Sequence, residues 1–181
     1  MICPSCDKGR LKPAYLDNLF PCHTCSTCGG NWVRLPDYLR WRETNAFPAK
    51  GSVTLEAVTD TTKAMICPET GRIMLKYLIS KETDHRIDLS RLANAVWLDK
   101  GEWDLLKAEG LTGNLHEIFT DQWQASIRES ETADVLTAVY GQKFGKDYAE
   151  LKRIRSWLRT KDNYSDMLAY LIAADPYKVD A

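Results

Sequence analysis

Short runs that mix apolar and polar residues open the chain. Leu11 to Leu16 and Leu19 to Thr24 predict two strands, with Asp17-Asn18 as the turn between them. Trp32-Val33-Arg34 predicts a third strand, and Pro36 suits the first turn of a short helix from Asp37 to Glu43. Strand-like runs recur at Ile73 to Ile79 and His85 to Leu89, followed by a short helix from Glu102 to Glu109 that Gly110 closes. Beyond Leu111 the period changes. Leu115, Ile118, Phe119, Trp123 and Ile127 recur at helical spacing behind a capping box formed by Asn114 and Glu117. Val135, Leu136, Val139 and Tyr140 continue that pattern to Gly141 or Gly145. A second capping box, Asp147 to Glu150, opens a helix with Tyr148, Leu151, Ile154 and Leu158 on one face. A last helix is expected from about Ser165 to Ala174, ending before Pro176.

The first half contains a repeat. Met1-Ile2-Cys3-Pro4 recurs as Met65-Ile66-Cys67-Pro68, and Asn31-Trp32-Val33 as Val96-Trp97-Leu98. The expected organisation is a ribbon at 1–46, a linker at 47–64 with room for one short strand, a degenerate ribbon-like repeat at 65–110 and a helical extension at 111–181. The fold class is α+β. The second unit is expected to hold its shape by packing Ile73, Leu75, Tyr77, Ile87, Leu89, Leu92, Val96, Trp97 and Leu98.

Cysteine spacing supplies the chemistry. Cys3-Pro4-Ser5-Cys6 and Cys25-Ser26-Thr27-Cys28 are two Cys-x-x-Cys pairs separated by eighteen residues. That spacing reads as a four-cysteine zinc site. A two-residue spacer lets both thiolates of a pair reach one ion, and Gly29 and Gly30 supply the backbone freedom of a tight knuckle. Four thiolates fill a tetrahedral shell and leave no position for substrate, so the expected site is structural. Iron suits the same four thiolates and is the lesser alternative. Cys22 forms its own Cys-x-x-Cys with Cys25, but Cys25 and Cys28 precede the glycines and match the first pair; Cys22 is read as a packed thiol, with an exchanging ligand as the other reading. In the repeat, Cys6 becomes Thr70, Cys25 becomes Ser90 and Cys28 becomes Ala93, so the second unit is expected to be metal-free. A set of Cys67, His85 and Asp88 is the competing site there.

The pattern Met-x-Cys-Pro-x-Cys, then Cys-x-x-Cys-Gly-Gly-x-Trp, resembles the bacterial zinc-finger domain named after the ribbon of transcription factor IIB. In that family an Asp and then Gly-Glu usually follow the knuckle. The first unit departs from this at Arg34 and Pro36-Asp37, whereas the second has Asp99-Lys100-Gly101-Glu102. The resemblance carries Cys3, Cys6, Cys25 and Cys28 over as zinc ligands. It does not by itself assign a function.

Charge and composition narrow the function classes. The formal net charge is -1 with 44% hydrophobic and 27% charged residues, which argues against coating nucleic acid by bulk charge. Residues 1–50 are locally basic, with seven Lys and Arg against four Asp and Glu. Lys8, Arg10, Lys12, Arg34, Arg40 and Arg42, with Tyr38 and Trp41, would suit phosphates and bases. The competing reading makes Tyr38 and Trp41 anchors for the helical extension, and Trp41, Trp103 and Trp157 docking residues or a partner surface. No Ser-His-Asp constellation, phosphate loop or His-Glu-x-x-His is present, so no enzyme is expected. No apolar run approaches the roughly 18 residues of a membrane span, and Met1-Ile2-Cys3-Pro4 lacks the start of a signal peptide. These features predict a cytoplasmic, non-enzymatic zinc protein that binds a protein partner, with nucleic-acid binding as the rival. They do not fix the oligomeric state.

Overall fold

The strand-forming runs fold into two consecutive segments, each of three strands followed by a short helix. The computed structural model describes residues 1–47, 58 and 60–173. The linker expected at 47–64 and the end of the last helix lie largely outside these residues. In the first segment β1 (Leu11–Leu16), β2 (Phe20–Cys25) and β3 (Asn31–Arg34) lead into α1 (Leu35–Glu43). The second segment contains β4 (Leu75–Ser80), β5 (Thr83–Ser90), β6 (Ala95–Leu98) and α2 (Glu102–Ala108). Pro36 sits in the first turn of α1, where its missing N–H costs no hydrogen bond.

The segments share one antiparallel sheet in the order β1-β2-β3-β6-β5-β4. Strands β3 and β6 join them, with Trp32 opposite Trp97, Asn31 opposite Leu98 and Val33 opposite Val96. Alternation along these strands divides their side chains between two faces. On one face Val33, Val96, Leu98, Ile87 and Leu89 meet the buried residues of both helices, among them Tyr38, Trp41, Trp103 and Leu106. Phe20 stacks on Trp41 at 4.8 Å between ring centroids, and Trp41 meets Trp103 edge-on at 5.8 Å. The other face gathers Trp32, Trp97, Met65 and Met74 around Cys3, Cys25 and Cys67.

Several side chains expected in the core of the second segment lie elsewhere. Ile73, Leu75 and Leu92 are exposed, and Met65, Met74 and Ile79 are buried instead. Ile73 precedes β4 and makes only an isolated bridge to Ile66, and Leu92 lies in the turn between β5 and β6, so neither is covered by the sheet.

The helix expected from Leu115 begins later, at Asp121. Residues 114–120 form successive tight turns, with the Glu117 N–H donating to the Asn114 carbonyl and Thr120 to Glu117. Leu115 and Ile118 are nevertheless fully buried. The Leu115 N–H is taken by the Tyr38 hydroxyl, and the Gln124 side chain donates to the Ile118 carbonyl. The Leu115 N–H, which the first turn of a helix would also leave unpaired, and the Ile118 carbonyl are thus both satisfied by side chains.

The chain divides into two compact units, 1–130 and 131–181. Helix α3 (Asp121–Phe144) runs through the division, so residues 111–130, assigned in sequence to the helical extension, fall in the first unit. The second unit contains the end of α3, α4 (Tyr148–Arg159) and α5 (Tyr164–Ile172). The expected cap on α4 is absent: Asp147 makes no side-chain capping bond, and Glu150 accepts two hydrogen bonds from Arg153. Leu158 is buried, but Leu136, Val139 and Leu151 are exposed. Among the described residues no helix is long and apolar enough to cross a membrane.

Candidate metal centre

Two knuckles bring the predicted cysteines together. The first follows Met1 and Ile2, where the Cys3 N–H donates to the Gly9 carbonyl and the Leu11 N–H to that of Met1. The second connects β2 to β3, closed by Cys25 N–H to the Gly30 carbonyl and Gly29 N–H to that of Cys25. Gly29 takes φ 75°, a left-handed conformation that favours glycine.

The sulfurs of Cys3, Cys6, Cys25 and Cys28 all lie within 4.8 Å of one another. Cys3 Sγ is 3.6 Å from Cys28 Sγ, and Cys6 Sγ is 3.7 Å from Cys25 Sγ. Four sulfurs at about 2.3 Å from a tetrahedral ion stand roughly 3.8 Å apart, so the spacing fits zinc. All four are free thiols. Backbone amides point at them: Cys6 N–H to Cys3 Sγ at 3.5 Å, Gly9 N–H to Cys6 Sγ at 3.3 Å and Thr27 N–H to Cys25 Sγ at 3.4 Å. The amides of Lys8 and Gly9 hold the Cys6 thiol down at about 6. Burial pushes Cys3 up and Cys28 up to about 11. A bound cation favours every thiolate and so supplies what burial takes away. Gly9 is a second requirement of the site, because a Cβ there would run into Cys25 Sγ and approach Thr27 Oγ1 at 2.9 Å.

Cys22 stands outside the quartet. It is buried, and its sulfur contacts Thr24 Oγ1 at 3.6 Å and Asn31 Oδ1 at 3.9 Å. Burial raises its pKa. Cys67, which takes the place of Cys3 in the repeat, is buried, and against that burial the Ser90 and Thr70 hydroxyls lower its pKa. Among the described residues it joins no group of three ligands, so the set Cys67, His85 and Asp88 does not form. His85 belongs instead to a cluster with Asp60 and Glu102 that residue spacing did not reveal. Its one sequence signal is the Asp99-Lys100-Gly101-Glu102 run, whose Glu102 side chain accepts a hydrogen bond from the Asp99 N–H at 2.7 Å. Burial, with Asp99, Asp60 and Asp88 nearby, holds Glu102 well above the usual carboxylate range.

A family model described as a transcription factor zinc-finger matches residues 2–44. No curated protein and no solved structure matches the chain. The match ends with α1 and does not extend to residues 65–110. Matched residues and converging sulfurs coincide: the chain carries a zinc-ribbon domain of the transcription factor IIB type, whose clustered Cys3, Cys6, Cys25 and Cys28 are placed to hold zinc.

Proposed function

We propose that this is a cytoplasmic, non-enzymatic zinc-ribbon protein that acts as an adaptor for a protein partner. Zinc has a structural role here: its four thiolates leave no coordination position for a substrate. Residues 65–110 are read as a degenerate copy of the ribbon without the cysteine site. They share its order of three strands and a helix.

The observation that carries the adaptor reading is the apolar surface of residues 131–172. Val135, Leu136, Val139, Leu151, Leu171 and Ile172 are all exposed, and Trp157 is 48% exposed. Within this unit Leu136, Tyr140, Phe144 and Leu151 line an open groove of about 480 Å³, together with Arg155 and Arg159. An apolar groove bordered by charge has the character of a protein interface. The nucleic-acid reading loses its stacking residues, because Tyr38 and Trp41 are buried in the core. Two of its cations are also engaged, Arg34 with Glu69 at 2.7 Å and Arg40 with Asp37 at 2.8 Å.

The test compares the full chain with a Leu136→Asp/Leu151→Asp variant of unchanged zinc content. Loss of a co-purifying protein from the variant supports the adaptor reading, and retention counts against it. A salt titration of DNA and RNA binding with an Arg40→Ala/Arg42→Ala variant tests the rival. Salt-dependent binding lost in that variant would replace the adaptor.

A further inference from the structure

The second segment and the stretch that leads into it hold a ligand cluster that the cysteine site does not use. Asp60, His85 and Glu102 each place a donor atom within 4.8 Å of the other two. No hydrogen bond or ion pair joins them among the described residues. Three observations distinguish the cluster from an ordinary group of surface charges.

Glu102 is 1% exposed, and its carboxylate is held in place by the Asp99 N–H on Oε2. Its other oxygen, Oε1, is buried without a partner. His85 Nδ1 is likewise buried and unpartnered. An orphaned buried polar atom is costly, and two beside one another mark a place where a group is missing. The surrounding charge indicates its sign. Asp88 and Asp99 both lie close enough to Glu102 to act on its charge. The nearby Lys76 is committed to Asp88 Oδ2 at 2.7 Å and to the Thr61 carbonyl at 2.5 Å.

We propose that Asp60, His85 and Glu102 bind a divalent transition-metal cation, a second metal site that is separate from the four cysteines. One imidazole and two carboxylates suit zinc and its first-row neighbours. Ligands on one such ion, at about 2.0–2.2 Å each, stand roughly 3 to 4.5 Å apart, and the cluster needs little movement to reach that. The site ties the approach to β4, the middle strand β5 and the start of α2 to one ion. The second segment is then not metal-free, although it lacks the thiolates of the first. The proposal does not rest on the adaptor reading.

Equilibrium dialysis of the full chain against Zn²⁺ tests it. Two zinc ions per chain are expected for the wild type and one for Asp60→Asn, His85→Ala and Glu102→Gln, whose second affinity falls by roughly tenfold or more. Glu102→Gln keeps an oxygen for the Asp99 N–H, and Asp60→Asn alters a half-buried residue, so the test survives if His85→Ala folds poorly. Cobalt added to the chain loaded with one equivalent of zinc, which fills the four-cysteine site first, provides the second readout: weak d–d bands without thiolate charge transfer are expected. One zinc in the wild type, two in the variants, or thiolate charge transfer from the added cobalt would overturn the proposal.

Discussion

Trp32 and Trp97 face each other across the β3–β6 pairing, and each completes a knuckle of the other segment. The Trp32 Nε1–H donates to Glu69 Oε1 at 2.9 Å, beside Cys67. The Trp97 ring lies where a Cβ on Gly30 would be, against the zinc knuckle. Trp97 is held there by its own Nε1–H, which donates to Asp99 Oδ1 at 2.7 Å. The ribbon is therefore closed by a residue from outside the matched 2–44 domain.

This predicts a strong penalty for Gly30→Ala. The new methyl must displace a buried indole, at a cost of about 1–3 kcal/mol or more. Trp97→Ala alone removes a fully buried ring, at about 3–5 kcal/mol. In the double variant the methyl enters the space the ring has left, so the two costs are expected to sum to less than their separate values. Denaturant unfolding of the zinc-loaded variants measures this. Additive losses would mean that the two residues do not press on each other.

Zinc removal is expected to destabilise all of residues 1–130 and not the ribbon alone. Zinc ligation in small folds supplies about 10–16 kcal/mol. Here β3 pairs with β6, and α1 shares a core with α2. Losing the knuckles therefore exposes both segments. Chelation should lower a single calorimetric transition for this unit, as should Cys25→Ser, whereas Cys22→Ser should retain the metal. A ribbon that melts alone, leaving β4–β6 and α2 at their original transition, would contradict the shared core.

The parts legible in the sequence were the local ones. Each Cys-x-x-Cys lies within one turn, so spacing alone indicated the quartet. Strand positions followed from short runs, and β1 begins and ends where expected. Joining β3 to β6 was not legible, because pairing between strands some sixty residues apart has no local signal. The start of α3 was misplaced for a related reason: Leu115 and Ile118 share a helical spacing but are buried through successive tight turns, which distant Tyr38 and the Gln124 side chain hold by hydrogen bonds. Asp60, His85 and Glu102 also escaped notice, since nothing in their spacing marks three ligands that meet only after folding.

Tyr38 gives a third prediction. Its hydroxyl donates to the Thr112 carbonyl at 2.9 Å and accepts from the Leu115 N–H at 3.2 Å, pinning the turns after α2 to α1. Tyr38→Phe keeps the buried ring and leaves both backbone groups unsatisfied, for a loss of about 1–3 kcal/mol. Hydrogen exchange checks it: the Leu115 amide should exchange far faster, with the β2–β3 amides less affected. Unchanged protection at Leu115 would show that another group holds that segment.

Asp88 gives the fourth, through pH. It is 2% exposed on β5, and burial raises its pKa to about 6. Lys76, on β4 at 2.7 Å, opposes the rise, while Asp99 and Asp60 add to it. Between the unfolded value near 4 and the folded value, the native chain holds a proton that the unfolded chain has lost. The stabilising contribution is therefore complete below the unfolded pKa and disappears as pH rises through about 6. A shift of that size corresponds to about 3 kcal/mol. In the chain loaded with one equivalent of zinc, carboxyl carbon shifts followed by NMR between about pH 5 and pH 8, where the cysteine site stays filled, should place the Asp88 midpoint near 6. Lys76→Met removes the opposing cation and should move the midpoint higher. A midpoint in the ordinary aspartate range, or one insensitive to Lys76→Met, would mean that solvent reaches this carboxylate and that the ion pair across β4 and β5 does not set its charge.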